Sequence, residues 1–244
     1  MGKYCEKDII TCYRSDSHHK MRSEAFLDFA QQLAVKGAQL LSFNDTALSQ
    51  LGCIWVLARM HVRFERDVAF DDKVDLSTWH KGQSGLYFLR DYQLCDRHGA
   101  AVNATSSWIV MNAETRHISR DEKVLELLSV GPQSEDHAIK EASPKITVPK
   151  DCTLEVIGEH TVRYSDVDYN NHANNVKYTV WALDHLPDNI AMTRRLKELS
   201  INFNKETLLG ETVTLYHCIT PEGEHIVEGR SGDIQVFIEK LLFE

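Results

Sequence analysis

Nothing in this sequence stays apolar for long. Its hydrophobic stretches are broken by charges well short of the ~20 residues that a membrane-spanning helix needs. The N-terminus carries Lys3, Glu6, Lys7 and Asp8 where a signal peptide would have an apolar segment. No CxxC pair occurs among the six cysteines (Cys5, Cys12, Cys53, Cys95, Cys152, Cys218), so free thiols in a reducing, cytoplasmic setting are expected rather than a disulfide frame. The histidines show no metal-ligand spacing, HExxH is missing, and Gly82-Gln83-Ser84-Gly85 has the wrong spacing for a GxSxG nucleophile elbow. With no glycine-rich phosphate loop either, neither a metal nor a cofactor is expected. Basic residues are in deficit, 27 Lys+Arg against 36 Asp+Glu for a net charge of −9. That argues against a nucleic-acid binder, which carries a basic stripe. Three of the five prolines (Pro132, Pro144, Pro149) crowd into one stretch, which reads as a linker.

What is present is a weak repeat. Thr-Cys-Tyr-Arg-Ser-Asp at 11–16 resembles Thr-Val-Arg-Tyr-Ser-Asp at 161–166, a shift of 150 residues (16 to 166). Each run is followed by polar, His-containing sequence and then by a helical pattern. Over 23–41, Phe26, Phe29, Ala30, Leu33, Gly37 and Leu40 recur at the spacing of one buried face. The second helix is shorter, about 175–185, with Val176, Val180 and Leu183 as its stripe and Pro187 as its stop. A second matching block follows in which Phe64 answers to Phe203, Val74 to Val213 and Asp67 to Glu206, all shifted by 139 residues (64 to 203). Alternating strands joined by the turns 96–99, 221–223 and 231–233 then read as antiparallel hairpins. A short helix is expected near 124–128.

Each half is thus a strand, a helix and an antiparallel sheet. A helix buries a stripe and a sheet buries a face, so the two pack together. The expected fold is α+β, a tandem hotdog, with an N-terminal domain at 1–130, a linker at 131–150 and a C-terminal domain at 151–244.

Chemistry concentrates where a strand gives way to the second helix. Asp168, Asn170 and His172 stand two apart, so in an extended stretch a carboxylate, an amide and an imidazole would face one space. That space adjoins a helix N-terminus, whose unpaired N–H groups and partial positive charge can hold an oxyanion. The same residue types also cap helices and make turns, and spacing alone does not separate the two uses.

The segment Asp168-Tyr169-Asn170-Asn171-His172-Ala173-Asn174-Asn175-Val176-Lys177-Tyr178, with Trp181 after it, resembles the D-x-N-x-H, V-N-N-V-x-Y and W signature of the acyl-acyl carrier protein thioesterases. Ala173 stands where that pattern has valine. The stretch Trp108 to Arg116 resembles the family's W-x-x-M-N-x-x-T-R, and Gly82 to Asp91 is similar to its G-x-x-G stretch running into R-D, with a shorter interval. The resemblance covers most of the chain. It implies Asp168, Asn170 and His172 as catalytic positions and Glu206 as a fourth. Thr207 occupies the place of a cysteine that plant members carry, so a cysteine nucleophile there is excluded. The implied chemistry is direct hydrolysis. Glu206, with Asp168, acts as general base, Asn170 and His172 position the water or the carboxylate, and the N–H groups of Asn174, Asn175 and Val176 hold the oxyanion.

The substrate this implies is a fatty acyl chain on an acyl carrier protein. The N-terminal half is expected to bind the acyl chain, with Phe29 and Trp108 among the lining candidates beside Phe26, Leu33 and Trp55. Asp67 and the polar stretch 15–20 are expected to be the N-terminal counterparts of Glu206 and of the catalytic segment. Lys177, Arg194, Arg195 and Lys197 are a candidate basic patch for an acidic carrier protein. A monomer or a homodimer both suit a fused pair of hotdogs. An acyl-CoA thioesterase, a non-catalytic acyl-thioester sensor and a dehydratase are the rival readings on the same fold.

Overall fold

The computed structural model describes residues 3–41, 44–129 and 134–244. The chain divides into two compact units. One comprises Met1–Ala58 and Glu65–Ser143, the other Arg59–Phe64 and Pro144–Glu244.

Unit 1 runs β1 (Tyr4–Ile9), α1 (Ser23–Ala38), α2 (Asp45–Gln50), β2 (Cys53–Phe64), β3 (Lys73–Ser84), β4 (Tyr87–Asp96), β5 (Gly99–Asn112) and α3 (Glu122–Ser129). Its strands lie in the order β1-β3-β4-β5-β2, with β1–β3, β3–β4 and β4–β5 pairing antiparallel. Helix α1 buries Phe26, Phe29, Ala30, Leu33 and Gly37, as its periodicity requires. It ends at Ala38, earlier than expected, and Leu40 is 61% exposed instead of continuing the stripe. Gly37 belongs to the stripe for a steric reason. A Cβ there would sit 2.6 Å from Nη1 of the buried Arg90 and 2.8 Å from the Thr78 methyl.

The proline-bearing stretch is tied down where it is described. Asp91 Oδ2 accepts the Ala138 N–H (2.8 Å), and buried Lys81 meets both Asp91 Oδ1 (3.0 Å) and the Ile139 carbonyl (2.5 Å). The Trp79 indole N–H donates to the Asp136 carbonyl (2.7 Å) and the Ser143 hydroxyl to the Thr105 carbonyl (2.9 Å). Burial raises the Asp91 carboxyl above its ordinary value, against the bonds from Thr105 and Lys81. Residues 131–133 of the expected linker lie outside the described residues.

Unit 2 adds β6 (Glu155–Thr161), α4 (Asn175–His185), the single-turn α5 (Ile190–Thr193), β7 (Leu196–Phe203), β8 (Thr212–Ile219), β9 (His225–Ser231) and β10 (Ile234–Phe243). The last part of β2, Arg59–Phe64, belongs to unit 2 and pairs with β7, and the order within this unit runs β2-β7-β10-β9-β8-β6, antiparallel throughout. Helix α4 spans the expected residues, but its buried face is Val176, Tyr178, Thr179, Trp181 and Ala182, with Val180 and Leu183 only half-buried. The aromatic rings decide this. Tyr178 packs on Phe237 (5.1 Å) and Trp181 stacks on His160 (4.4 Å), so the helix turns its large rings inward.

Candidate active site

The site is built on the segment 167–173. Val167 bridges to Ala173, the Asp168 N–H donates to the His172 carbonyl (3.0 Å) and the Asn171 N–H to the Asp168 carbonyl (3.0 Å). Asp168 Oδ1 accepts the Asn170 N–H at 2.8 Å, and Asn171 takes a φ of 62°. The segment is therefore a closed hairpin and not the extended stretch that would line up Asp168, Asn170 and His172. The local sequence explains it: Asp accepts a backbone N–H two residues on, and Asn tolerates the left-handed conformation. One carboxylate oxygen of Asp168 is spent on organising the turn.

At the end of this hairpin His172 meets Glu206, with Nδ1 3.4 Å from Oε2. Their side chains are 31% and 38% exposed, open enough for water to reach both. The contact is set by the backbone, because the Ala173 N–H donates to the Thr207 carbonyl (2.8 Å) and so stitches the hairpin to the segment after β7. Thr207 itself is fully buried, and its hydroxyl bonds the Tyr178 hydroxyl at 3.0 Å. Such an oxygen is a packing group, not a poised nucleophile. Burial pushes the Tyr178 phenol above its ordinary value. The Thr207 bond opposes the rise, and the nearby Glu206 charge adds to it.

The N-terminus of α4 has fewer open donors than expected. Asn174 is the N-cap, its Oδ1 accepting the Val176 N–H (2.9 Å) while its own N–H donates to the Asp166 carbonyl (2.8 Å). Of the N–H groups of residues 174–176, that of Asn175 alone is outside these bonds. Val176 is buried, so its side chain is core. Trp108 lies on β5 opposite Phe88 and against a cluster of Leu48, Cys53, Phe88, Val110 and Val124, its indole N–H donating to Ser106 Oγ (2.7 Å). Phe29 is buried on α1 beneath the Arg14 guanidinium, 4.2 Å from the ring centre. The candidate basic patch is partly neutralised. Arg195 pairs with Glu244 and donates to the Phe64 carbonyl, and Lys197 lies 4.0 Å from the same Glu244.

Unit 1 contains the same hairpin. Ser15 bridges to Met21, the Asp16 N–H donates to the Lys20 carbonyl (2.8 Å), the His19 N–H to the Asp16 carbonyl (3.1 Å) and the His18 N–H to Asp16 Oδ1 (2.8 Å). His19 has a φ of 59°. Each feature recurs 152 residues later (16 to 168), so Asp16 answers to Asp168 and the register read from the sequence was two residues short. The 139-residue shift of the following block holds in the backbone, where Met21 donates to Val68 as Ala173 does to Thr207. Lys20 and Asp67 form an ion pair at the place of His172 and Glu206. No helix among the described residues is long and apolar enough to cross a membrane.

Sequence reasoning passed over Asp166. It is buried, and its carboxylate gathers bonds from His160, Trp181 and the Arg163 N–H. The only signal was the Ser-Asp pair that marked the repeat.

Known proteins bear on this arrangement. The model of the acyl-ACP thioesterase N-terminal domain matches residues 2–126, and that of the C-terminal domain matches 150–236. Oleoyl-acyl carrier protein thioesterase 1, chloroplastic, of Arabidopsis thaliana is 29% identical over 236 residues, covering 90% of this chain and 64% of its own length. Dodecanoyl-[acyl-carrier-protein] hydrolase of Cinnamomum camphora is 31% identical over 192 residues, 75% of this chain and 48% of its own. The chain thus spans less than two thirds of the curated relatives it matches. An acyl-ACP thioesterase structure from Bacteroides thetaiotaomicron superposes with a TM-score of 0.86 at 21% identity, covering 99% of this chain and 98% of its own. The 12:0-ACP thioesterase of Umbellularia californica gives 0.84 at 19% identity, with 99% and 97% covered. These likenesses show the fold, a tandem hotdog of the α+β class. With both of its domain models matched along the chain, the protein belongs to the acyl-ACP thioesterase family.

Proposed function

We propose that the protein hydrolyses fatty acyl thioesters on acyl carrier protein to free fatty acid and holo-carrier, ending chain elongation. The observation that carries this is the water-accessible His172–Glu206 pair, held 3.4 Å apart beside the N-terminus of α4 in a member of this family. Glu206 takes a proton from water as the water oxygen attacks the thioester carbonyl. The resulting oxyanion is received by the Asn175 N–H, with the helix dipole behind it. As the carbonyl re-forms, the C–S bond breaks and the thiolate leaves, taking the proton that Glu206 gained from water. His172 orients Glu206 through its Nδ1, Asn170 positions the water, and Asp168 holds the hairpin that presents them.

The N-terminal domain, residues 1–130, binds the acyl chain in this reading. The apolar cluster beside Trp108 and Trp55 supports that role, while Phe29, covered by Arg14, belongs to the core. A cytoplasmic setting is supported by six cysteines that are all free thiols.

The test is incubation with carrier-bound and CoA-bound acyl chains of graded length, following free thiol and free acid. Preferential release from the carrier is expected. Equal or better release from CoA would make the protein an acyl-CoA thioesterase, and binding without release would make it a sensor.

A further inference from the structure

Three elements of unit 2 meet at one carboxylate. Asp166 Oδ2 receives the His160 Nε2–H from β6 (2.8 Å) and the Arg163 N–H from the turn (2.8 Å). Oδ1 receives the Trp181 indole N–H from α4 (3.4 Å), and the His160 ring lies over Trp181 with 21° between the planes. The carboxyl is 5% exposed as a residue, and its main chain continues the tie, since the Asp166 carbonyl accepts the N–H of Asn174, the cap of α4. Residue 166 thus pins both ends of the segment 167–173, from which His172 reaches Glu206.

A His–Asp pair next to a reaction site invites an acid–base reading, but unit 1 argues against it. The same shift of 152 residues carries His160 to Asp8, Asp166 to Arg14 and Trp181 to Phe29. Strand register agrees, with Asp8 opposite Val74 and His160 opposite Val213. These three also make a clasp. Arg14 Nη1 bonds Asp8 Oδ2 at 3.0 Å, and the guanidinium lies over the Phe29 ring. Polarity is inverted, with the acid on the strand and the cation at the turn, and an arginine cannot serve as a proton shuttle. What the two copies share is a strand–turn–helix tie ahead of the hairpin, not proton chemistry.

We infer that Asp166 is a positioning residue for the reaction, acting through its clasp on His160 and Trp181 to hold the 167–173 hairpin and so His172 against Glu206. The inference rests on the proposed roles of those two residues. Misplacing a reacting group by about 1 Å costs on the order of 100-fold in rate. Loosening the clasp therefore lowers kcat and leaves the binding of carrier-bound substrate nearly alone.

The experiment measures kcat and KM for carrier-bound acyl substrate with the full chain, together with thermal melting. Removing the donor in His160→Ala lowers kcat about tenfold with KM within about threefold, and His160→Gln, whose amide still donates, recovers most of the loss. Asp166→Arg alone lowers kcat more. Pairing it with His160→Asp copies the unit 1 clasp and recovers at least about tenfold, a coupling that a double-mutant cycle reads directly. A folded His160→Ala at wild-type kcat overturns the inference. So does a double variant no better than Asp166→Arg. If both Asp166 variants fail to fold, the His160→Ala and His160→Gln pair still decides. Glu206→Ala is run alongside. Wild-type turnover there sinks the reading of the site itself, whereas its loss combined with wild-type clasp variants sinks only the clasp.

Discussion

The hairpins at 15–21 and 167–173 share a backbone and differ in chemistry. Both turn on an aspartate that accepts the N–H two residues on, both place a residue with φ near 60° at the same point, and both end on a cation-capable side chain facing an acid. In the first the cation is Lys20, whose ammonium pairs with Asp67. In the second it is His172, whose imidazole Nδ1 faces Glu206 and can orient that acid. The fold supplies a place where a helix N-terminus, a turn and a strand end meet, and side-chain identity decides whether that place can do chemistry.

The most direct way to break this contrast is to make the second hairpin like the first. His172→Lys, with the Lys–Glu206 pair able to form, is expected to lower kcat about 100-fold or more while melting stays near wild type. Glu206→Ala is expected to fall at least as far, and Asp67→Ala to remain within about twofold. Comparable losses from Asp67→Ala would mean that both hairpins work.

Asp168→Asn sharpens the assignment of the base. The amide oxygen still accepts the Asn170 N–H, so an organising role predicts turnover within about tenfold of wild type. A hundredfold loss would instead place Asp168 among the proton-transfer groups.

A third difference lies under the helices. Thr179 and the fully buried Glu239 of unit 2 share a 2.7 Å bond. Strand register sets Ala104 at the Glu239 position, with Tyr92 opposite Ala104 and Val227 opposite Glu239. Burial pushes the Glu239 carboxyl from 4.5 up to about 8, against the Thr179 bond, and its Oε2 has no hydrogen-bond partner among the described residues. The folded state therefore prefers the protonated acid. That contribution to stability is whole below pH 4.5 and is lost as pH rises through about 8. Glu239→Gln is expected to stabilise the protein by about 1–3 kcal/mol at pH 7, the gain vanishing near pH 4 in denaturant titrations. A gain independent of pH would point to packing instead of charge.

The smallest effect is expected at Thr207. Thr207→Val loses the bond to Tyr178 and about 1 kcal/mol of stability, with turnover within about threefold. Abolished turnover in a folded variant would restore the nucleophile reading that burial of this hydroxyl opposes.

Local features of these hairpins were legible before any coordinates. The limits of α4 follow from an Asn cap at one end and Pro187 at the other, and the turns at 96–99 and 231–233 from glycine and polar residues. The signature around Asp168 marked the segment, and the alignment of Asp67 with Glu206 survived in the backbone. The extended geometry assigned to 168–172 did not, because two asparagines and an aspartate satisfy their polar groups within the turn more readily than a strand without a partner would. The two-residue error in the first repeat has a similar cause. Ser15-Asp16 and Ser165-Asp166 are alike as letters, but hydrogen bonds align backbones, and they place Arg14 at the position of Asp166.

The sequence by itself determined which segments become helix, turn and strand, and which stretch concentrates polar side chains at a helix start, because capping, φ preference and apolar period act between near neighbours. Tertiary structure alone decided that His172 lies against Glu206, that Thr207 is sealed, that Asp91 and Lys81 hold the proline-rich stretch, and that one strand–turn–helix clasp occurs twice with opposite charge. Those outcomes depend on strand register and helix packing between residues far apart in the chain, and no short-range preference encodes them.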